Sequence, residues 1–329
     1  MKRALITGIK GQDGVYLSRL LLGKGYQVFG IDLSESNSKN LLFLNLEDSI
    51  VFVQANLLDM SNMIRVIERI EPDEIYNLAA QSSVGLSFEQ IIGTLELNIF
   101  SVTHLLEAIR IVNPKIKFYQ ASSSEMFGRV QKESLPVNEE SVFHPVSPYG
   151  ISKCTAHWVT VNYREAYNLF AVCGILFNHE SVLRGDGFVT KKIVNTAVRI
   201  KMGLADSLNL GNTGISRDWG YAPQYVEAMW LMLQQEKPDD YVICSGQPHS
   251  LTDFAGKVFG KLGLDFERFV TIDERLIRPV DLETISGDNS KAKRVLGWNY
   301  TLQFDDLIDL LIRDEISYLK WESSNSPDL

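Results

Sequence analysis

The sequence predicts an α/β fold, a doubly wound parallel sheet followed by a smaller C-terminal α/β cap. Three observations carry that reading. Short apolar runs alternate with amphipathic helical stretches from Arg3 to Leu176. A glycine-rich turn, Gly8-Ile9-Lys10-Gly11-Gln12-Asp13-Gly14, separates the first apolar run from the first helical stretch. After Phe177 the alternation loosens while helical patterning persists. A chain of 329 residues is long enough for one large α/β domain with a cap, or for two domains.

The elements follow in order. Residues 3–7 read as a buried strand, and 14–24 as a helix with Tyr16, Leu17, Leu20 and Leu21 on one side. Residues 26–31, 50–53, 73–78, 116–120 and 171–176 are short, apolar and β-branched or aromatic, which suits strands. Between them the clearest helices are 95–112 and 149–167. Beyond Phe177, residues 189–202, 225–235, 251–262 and 304–319 are expected to be helical. This gives a dinucleotide-binding domain over 1–178 with return segments around 206–250. A substrate-binding cap takes most of 179–321, and 322–329 reads as a frayed polar tail.

Composition narrows the partners. Hydrophobic residues make up 45% and charged residues 22%, as in ordinary globular proteins. A net charge of -9 disfavours nucleic acid and anionic membranes. Cys154, Cys173 and Cys244 form no CxxC pair and no even framework, which fits a reducing cytoplasm. No apolar leader and no membrane-length apolar run is visible.

The glycine turn is GxxGxxG. Gly8, Gly11 and Gly14 let backbone approach a pyrophosphate, with Gln12 and Asp13 in the same turn, and the N-terminus of the helix that the motif opens favours its charge. Asp32, at the end of the second strand, suits the two ribose hydroxyls of NAD and repels a 2′-phosphate; a solvated turn carboxylate is the plainer reading. Between Leu33 and Asn40 only Lys39 offers a cation to a phosphate, so NAD is favoured over NADP. Asn56 and Leu57 stand where adenine would be covered, or merely cap a strand. Leu78, Ala79, Ala80 and Gln81 leave room for the cofactor backbone, or reflect tight packing.

The chemistry is carried by Tyr149 and Lys153, one helical turn apart on one face. A fixed ammonium favours the phenolate and lets the Tyr lose its proton near neutral pH. Glu125, within Ala121-Ser122-Ser123-Ser124-Glu125, adds a carboxylate able to act on a carbon acid; otherwise it is a helix N-terminal carboxylate. The five histidines show no ligand cluster, so no metal is expected. A nucleophile elbow is absent, which excludes a Ser/His/Asp hydrolase.

These stretches resemble the extended short-chain dehydrogenase/reductases, specifically the GDP-mannose 4,6-dehydratases. Asn77-Leu78-Ala79-Ala80-Gln81-Ser82, Ser123-Ser124-Glu125, Asn178-His179-Glu180-Ser181, Arg184-Gly185, Phe188-Val189-Thr190-Lys191-Lys192-Ile193 and Arg217-Asp218-Trp219-Gly220-Tyr221 carry the likeness across nearly the whole chain. It implies a Rossmann domain and a tightly held, recycled NAD or NADP. Tyr149 would take the O4 proton, with Lys153 and Ser123 holding the phenolate and the hydroxyl. Glu125 would remove the C5 proton as water leaves C6. It implies Ser83, Asn178, Val189, Lys192, Arg217, Arg278 and Asp281 around a GDP-sugar. A homodimer through helices 95–112 and 149–167, or a homotetramer, is the family's habit. The chain departs from the family at Asp32-Leu33-Ser34-Glu35-Ser36, where arginines are usual, at Ser123 for threonine and at Asp281 for glutamate. Val182-Leu183 stands for a more polar pair, so a GDP-heptose or GDP-hexosamine is an alternative substrate. A 4-epimerase or 4-ketoreductase is the alternative reaction, but neither requires Glu125.

Overall fold

The computed structural model describes residues 1–33, 38–276, 280 and 282–325. The N-terminal region contains β1 (Arg3–Thr7), α1 (Gln12–Gly23), β2 (Gln27–Asp32), α2 (Lys39–Phe43), β3 (Ile50–Gln54), α3 (Met60–Ile70) and β4 (Glu74–Asn77). It continues through α4 (Val84–Glu89), α5 (Ile91–Val112), β5 (Lys117–Ser123), α6 (Pro148–Tyr167) and β6 (Ala171–Leu176). Then come β7 (Asn178–Glu180), α7 (Val189–Lys201), β8 (Leu208–Leu210), β9 (Ser216–Tyr221), α8 (Ala222–Leu233) and β10 (Asp240–Ile243). Last are β11 (Pro248–Ser250), α9 (Leu251–Lys261), α10 (Phe266–Phe269), β12 (Val270–Ile272) and α11 (Phe304–Asn325).

Seven parallel strands form the large sheet in the order β10-β6-β5-β4-β1-β2-β3. Every residue of β4 and β6 is buried, as strands covered on both faces must be. One face packs under α1 and α8, through Leu17, Leu21, Met229 and Met232. The other packs under α3, α5 and α6, through Ile67, Leu105, Leu106 and Ala156. The chain runs outward in opposite directions from β1 and β4, which opens a crevice beyond their carboxyl ends.

The cap has a three-stranded sheet, β11-β9-β7, and a two-stranded one, β12-β8. Helices α7, α9 and α11 enclose its core around Phe254, Phe259, Leu307 and Leu311. Two sequence expectations change here. Of the proposed return over 206–250, only α8 and β10 join the large sheet; β8, β9 and β11 stay with the cap. Residues 322–325 are not frayed, because α11 continues to Asn325 and Glu322 accepts from Lys39 Nζ at 2.9 Å. Residues 326–329 lie outside the described residues.

A buried ion pair bolts α7 to α11. Lys191 Nζ meets Glu315 Oε2 at 2.5 Å, and both side chains are at most 4% exposed. Asn195 Nδ2 donates to the other Glu315 oxygen at 2.7 Å, and Lys191 also donates to Val182 O. Glu315→Ala strands a buried ammonium and is expected to cost about 3–5 kcal/mol in a denaturant melt. A loss under about 1 kcal/mol would mean that water enters and rescues the lysine.

Candidate active site

The crevice is a cavity of about 550 Å³, running from Asp32 and Asn56 past the glycine turn to Tyr149 and Lys153, then out to Arg217. Two glycines shape its narrow part. Gly8 has φ +68°, and a Cβ there would lie 2.8 Å from Ala79 N. A Cβ on Gly14 would strike the Gly8 carbonyl. The turn is thus pressed onto the end of β4 and folded on itself, with Gly11 N donating to Gly8 O at 3.0 Å. Gly11 is the N-cap of α1 and offers no side-chain acceptor, so the helix terminus favours an anion in the cavity. Leu78, Ala79 and Ala80 line the opposite wall, their position fixed where Thr7 Oγ1 takes the N–H groups of Leu78 and Ala79, each at 3.1 Å. Glycine walls, a helix N-terminus and a carboxylate at the strand end fit a dinucleotide.

Gln12 and Asp13 line this cavity, but their polar ends serve the cap. Gln12 Nε2 donates to His179 O at 3.0 Å, and Ser181 Oγ donates to Gln12 Oε1 at 2.8 Å. Asp13 Oδ2 lies 2.8 Å from His179 Nε2, whose other nitrogen is 2.7 Å from Phe177 O. With an acceptor at each ring nitrogen, His179 is held as imidazolium. Burial opposes the charge, yet the Asp13 carboxylate raises the His179 pKa; the imidazolium in turn outweighs burial and lowers that of Asp13. Gln81 is not on the wall. Its amide donates to Ser83 O and Thr94 Oγ1, so it shapes the loop into α4.

Ser123, Glu125, Tyr149 and Lys153 all line the cavity. Ser123 ends β5, and its Oγ accepts the Glu125 N–H at 3.2 Å, starting the short turn that carries Glu125. Ser147 caps α6, accepting from Gly150 N at 3.0 Å, and Pro148 occupies the first turn. A Cβ on Gly150 would lie 2.7 Å from Glu125 O, so glycine lets α6 approach that turn. Tyr149 and Lys153 thus line the same cavity as Ser123 and Glu125, and the Tyr149 hydroxyl hydrogen-bonds the Ser123 side chain. Lys153 Nζ donates to Ala121 O at 2.9 Å and lies 5.8 Å from the Tyr149 ring centre.

One expectation is corrected. Burial disfavours the Tyr149 phenolate in this geometry instead of the neighbouring ammonium favouring it. Burial drives its pKa up to about 12, with Ser123's hydrogen bond opposing and Glu125's charge adding to the rise. Burial also lowers Lys153 to about 8. The ammonium donates to the Ala121 carbonyl, and desolvation is the largest cause of both shifts.

On the cap side, Ser83, Asn178, Val189 and Arg217 line the cavity. Arg217 Nη1 donates to Ser216 O and Leu282 O, and the neighbouring Asp218 takes the N–H groups of Ser245 and Gly246. Lys192 does not line it; its Nζ donates to Asn209 O at 2.7 Å. Arg278, Asp281 and residues 34–36 lie outside the described residues. Val182 and Leu183 are 4% and 3% exposed and pack in the core, so they do not shape the cavity. Sequence reasoning gave no role to His179, Arg184, Phe188 or Trp219, which do line it. The Arg184 guanidinium sits 3.7 Å over the Phe188 ring, a pairing foreshadowed only by the Arg184-Gly185 motif.

One group, His157, Cys173 and Asp240, brings three ligand atoms within 4.8 Å, which the spacing of the histidines did not reveal. Arg164 donates to both Asp240 oxygens at 2.8 Å, so that carboxylate already balances a cation. Ser122 Oγ lies 3.1 Å from His157 Nδ1, next in sequence to Ser123 of the cavity wall.

A switch-point crevice over a Tyr–Lys helix defines an extended short-chain dehydrogenase/reductase. The family described as GDP-mannose 4,6 dehydratase matches residues 5–311. GDP-mannose 4,6 dehydratase 2 of Arabidopsis thaliana is 49% identical over 333 residues, covering 98% of this chain and 88% of that protein. The Homo sapiens GDP-mannose 4,6 dehydratase is 40% identical over 346 residues, covering 96% and 92%. The chain belongs to the GDP-mannose 4,6-dehydratase family, hydro-lyases of the extended type. Among solved structures, a dTDP-glucose 4,6-dehydratase from Bacillus anthracis in complex with NAD superposes with a TM-score of 0.84. It is 21% identical and covers 99% of each chain, a likeness of fold.

Proposed function

We propose that this chain removes water from GDP-mannose to give GDP-4-keto-6-deoxymannose. The observation that carries the reading is that Ser123, Glu125, Tyr149 and Lys153 line one cavity. Tyr149 takes the O4 proton, and Ser123 Oγ orients that hydroxyl. The Lys153 ammonium stabilises the phenolate form of Tyr149 that accepts this proton. Glu125 takes the C5 proton made acidic by the C4 ketone and passes it to the departing C6 hydroxyl, which leaves as water. A solvent proton returns to C5 as the hydride reaches C6. A nicotinamide held in the cavity would supply the hydride transfer from C4 to C6, leaving no net oxidation. Asp32 supports NAD as the resident cofactor, cradled by Gly8, Gly11, Gly14, Asn56, Leu57 and Ala79. Asn178, Val189 and Arg217 hold the GDP moiety, with Arg217 forking onto phosphate. Residues 1–178 would bind the dinucleotide, and most of the cap the substrate. The test is incubation of the purified protein with GDP-mannose and no added cofactor, followed by mass spectrometry. Loss of one water supports the reading; an intact substrate beside bound NAD refutes this substrate.

A homo-oligomer through α5 and α6 completes the proposal. Their outer faces expose Ile92, Phe100 and Trp158 at 75%, 51% and 56%. An apolar stripe of this kind calls for a partner helix pair. Phe100→Glu with Trp158→Glu is expected to yield monomers in sedimentation; an unchanged oligomer would place the interface elsewhere. Among the described residues no helix is long and apolar enough to cross a membrane. The three free cysteines suit a cytoplasmic setting.

A further inference from the structure

We propose that Lys10 sets the balance between NAD and NADP, its ion pair with Asp32 making the adenosine-ribose end of the cavity tolerant of a 2′-phosphate. This rests on the dinucleotide reading above and refines it.

Asp32 lines the cavity beside Leu33, Ala55 and Asn56. A carboxylate acting alone there would repel a phosphate. It does not act alone. Lys10 Nζ lies 3.1 Å from Asp32 Oδ1, reaching from the glycine turn to the end of β2. The two side chains are only 18% and 28% exposed, so solvent screens the pair incompletely. Its net charge is zero, and an approaching phosphate meets a dipole whose positive end is an ammonium on a flexible stem.

Lys10 is also held in place. Its carbonyl accepts from Asn40 Nδ2 at 3.1 Å and from Ser38 Oγ at 3.5 Å, which ties the turn to the start of α2. The stem runs beside β2 and β3, with Nζ 5.9 Å from the Phe52 ring centre. Lys39, the cation that the sequence offered to a 2′-phosphate, is committed elsewhere. Its Nζ lies 2.9 Å from Glu322 Oε1 on α11.

Two states follow. With a 2′-hydroxyl, Asp32 accepts from the ribose and keeps Lys10 as its counterion. With a 2′-phosphate, the ammonium turns from the carboxylate to the phosphate oxygens, a swing its four-carbon stem permits. Asp32 thus supplies the NAD affinity and Lys10 the NADP affinity.

The experiment is fluorescence titration of the nucleotide-stripped full chain with NADH and with NADPH. Lys10→Met, Lys10→Arg and Asp32→Asn are compared with the wild type. The wild type is expected to bind both within about tenfold of each other, and Lys10→Met to weaken NADPH by about 10- to 30-fold while NADH stays within about threefold. Lys10→Arg should keep NADPH binding, and Asp32→Asn should improve it. Added salt should weaken NADPH more than NADH in the wild type but not in Lys10→Met. Equal weakening of both nucleotides in Lys10→Met would make Lys10 a structural part of the turn and overturn the proposal. So would a wild type that excludes NADPH, with Lys10→Met no different. Tight NADH binding alongside either result leaves the dinucleotide reading intact. Failure of the wild type to bind either nucleotide overturns both.

Discussion

Glu125→Gln is expected to abolish loss of water while leaving C4 oxidation and its reversal intact. The substitution preserves shape, so the short turn starting at Ser123 should persist, since it depends on the Glu125 main-chain N–H rather than its carboxylate. The close approach of Gly150 to the Glu125 carbonyl is likewise a main-chain contact. What the amide cannot do is accept the C5 proton. A positioned base is worth about 10²- to 10⁴-fold in rate, and turnover should fall by that much. Two readouts locate the block. Deuterium from solvent should cease to enter C5, and reduced nicotinamide should accumulate transiently, because the hydride's acceptor at C6 no longer forms. Should Glu125→Gln still eliminate water at more than about a tenth of the wild-type rate, another group is the base.

The parts of this molecule that were legible in the sequence are those whose partners are close along the chain. The glycine turn, the Ser123–Glu125 turn and the Tyr149–Lys153 helix face each occupy a handful of consecutive residues, and the fold only has to bring their ends to one edge. Strands β1 to β6 were legible because each is a short apolar run between helices. Strand β10 was not; it has four residues and follows the stretch where the alternation dissolves. Its identity comes from pairing with β6, a partner 67 positions earlier at Asp240 and Cys173. Side-chain direction was illegible for the same reason. Lys191 and Lys192 are neighbours of equal propensity, yet Lys191 turns inward to Glu315 and Lys192 outward to Asn209. A carboxylate 124 residues away decides which lysine is buried, and no local pattern announces it. Lys39 was likewise offered to a cofactor phosphate because Glu322 is far off in sequence. Asp13 and Gln12 sit in a motif suggesting ligand contact, but β7 claims their polar ends. Local chemistry marked where a site would be; long-range pairing determined which of its groups remain available.

Tyr149 and Lys153 carry the other large expected effect. Tyr149→Phe removes the group that takes and returns the O4 proton, so both C4 oxidation and dehydration should fall by about 10²- to 10⁴-fold. Nucleotide binding should survive, since the ring still packs at the same place. A variant retaining C4 oxidation would transfer the acid–base role to Ser123. The lysine makes a separate prediction through stability. Burial lowers its pKa from 10.5 to about 8, so the folded protein releases this proton at lower pH than the unfolded chain does. Between these two values the unfolded state binds more protons, and stability must rise with pH there. Below about 8 both states are charged, and the folded state carries the full cost of a desolvated ammonium. Lys153→Met has no such proton. In denaturant melts across that window, wild type should therefore gain stability relative to Lys153→Met as pH rises. A constant difference would mean that Ala121 O and the cavity solvate the ammonium well enough to leave its pKa at the ordinary lysine value. Activity should run the other way, because the phenolate that accepts the O4 proton relies on the Lys153 charge, which is lost as pH climbs past about 8. Stability rising while turnover falls in the same pH range is the signature of a buried lysine kept for chemistry rather than for the fold.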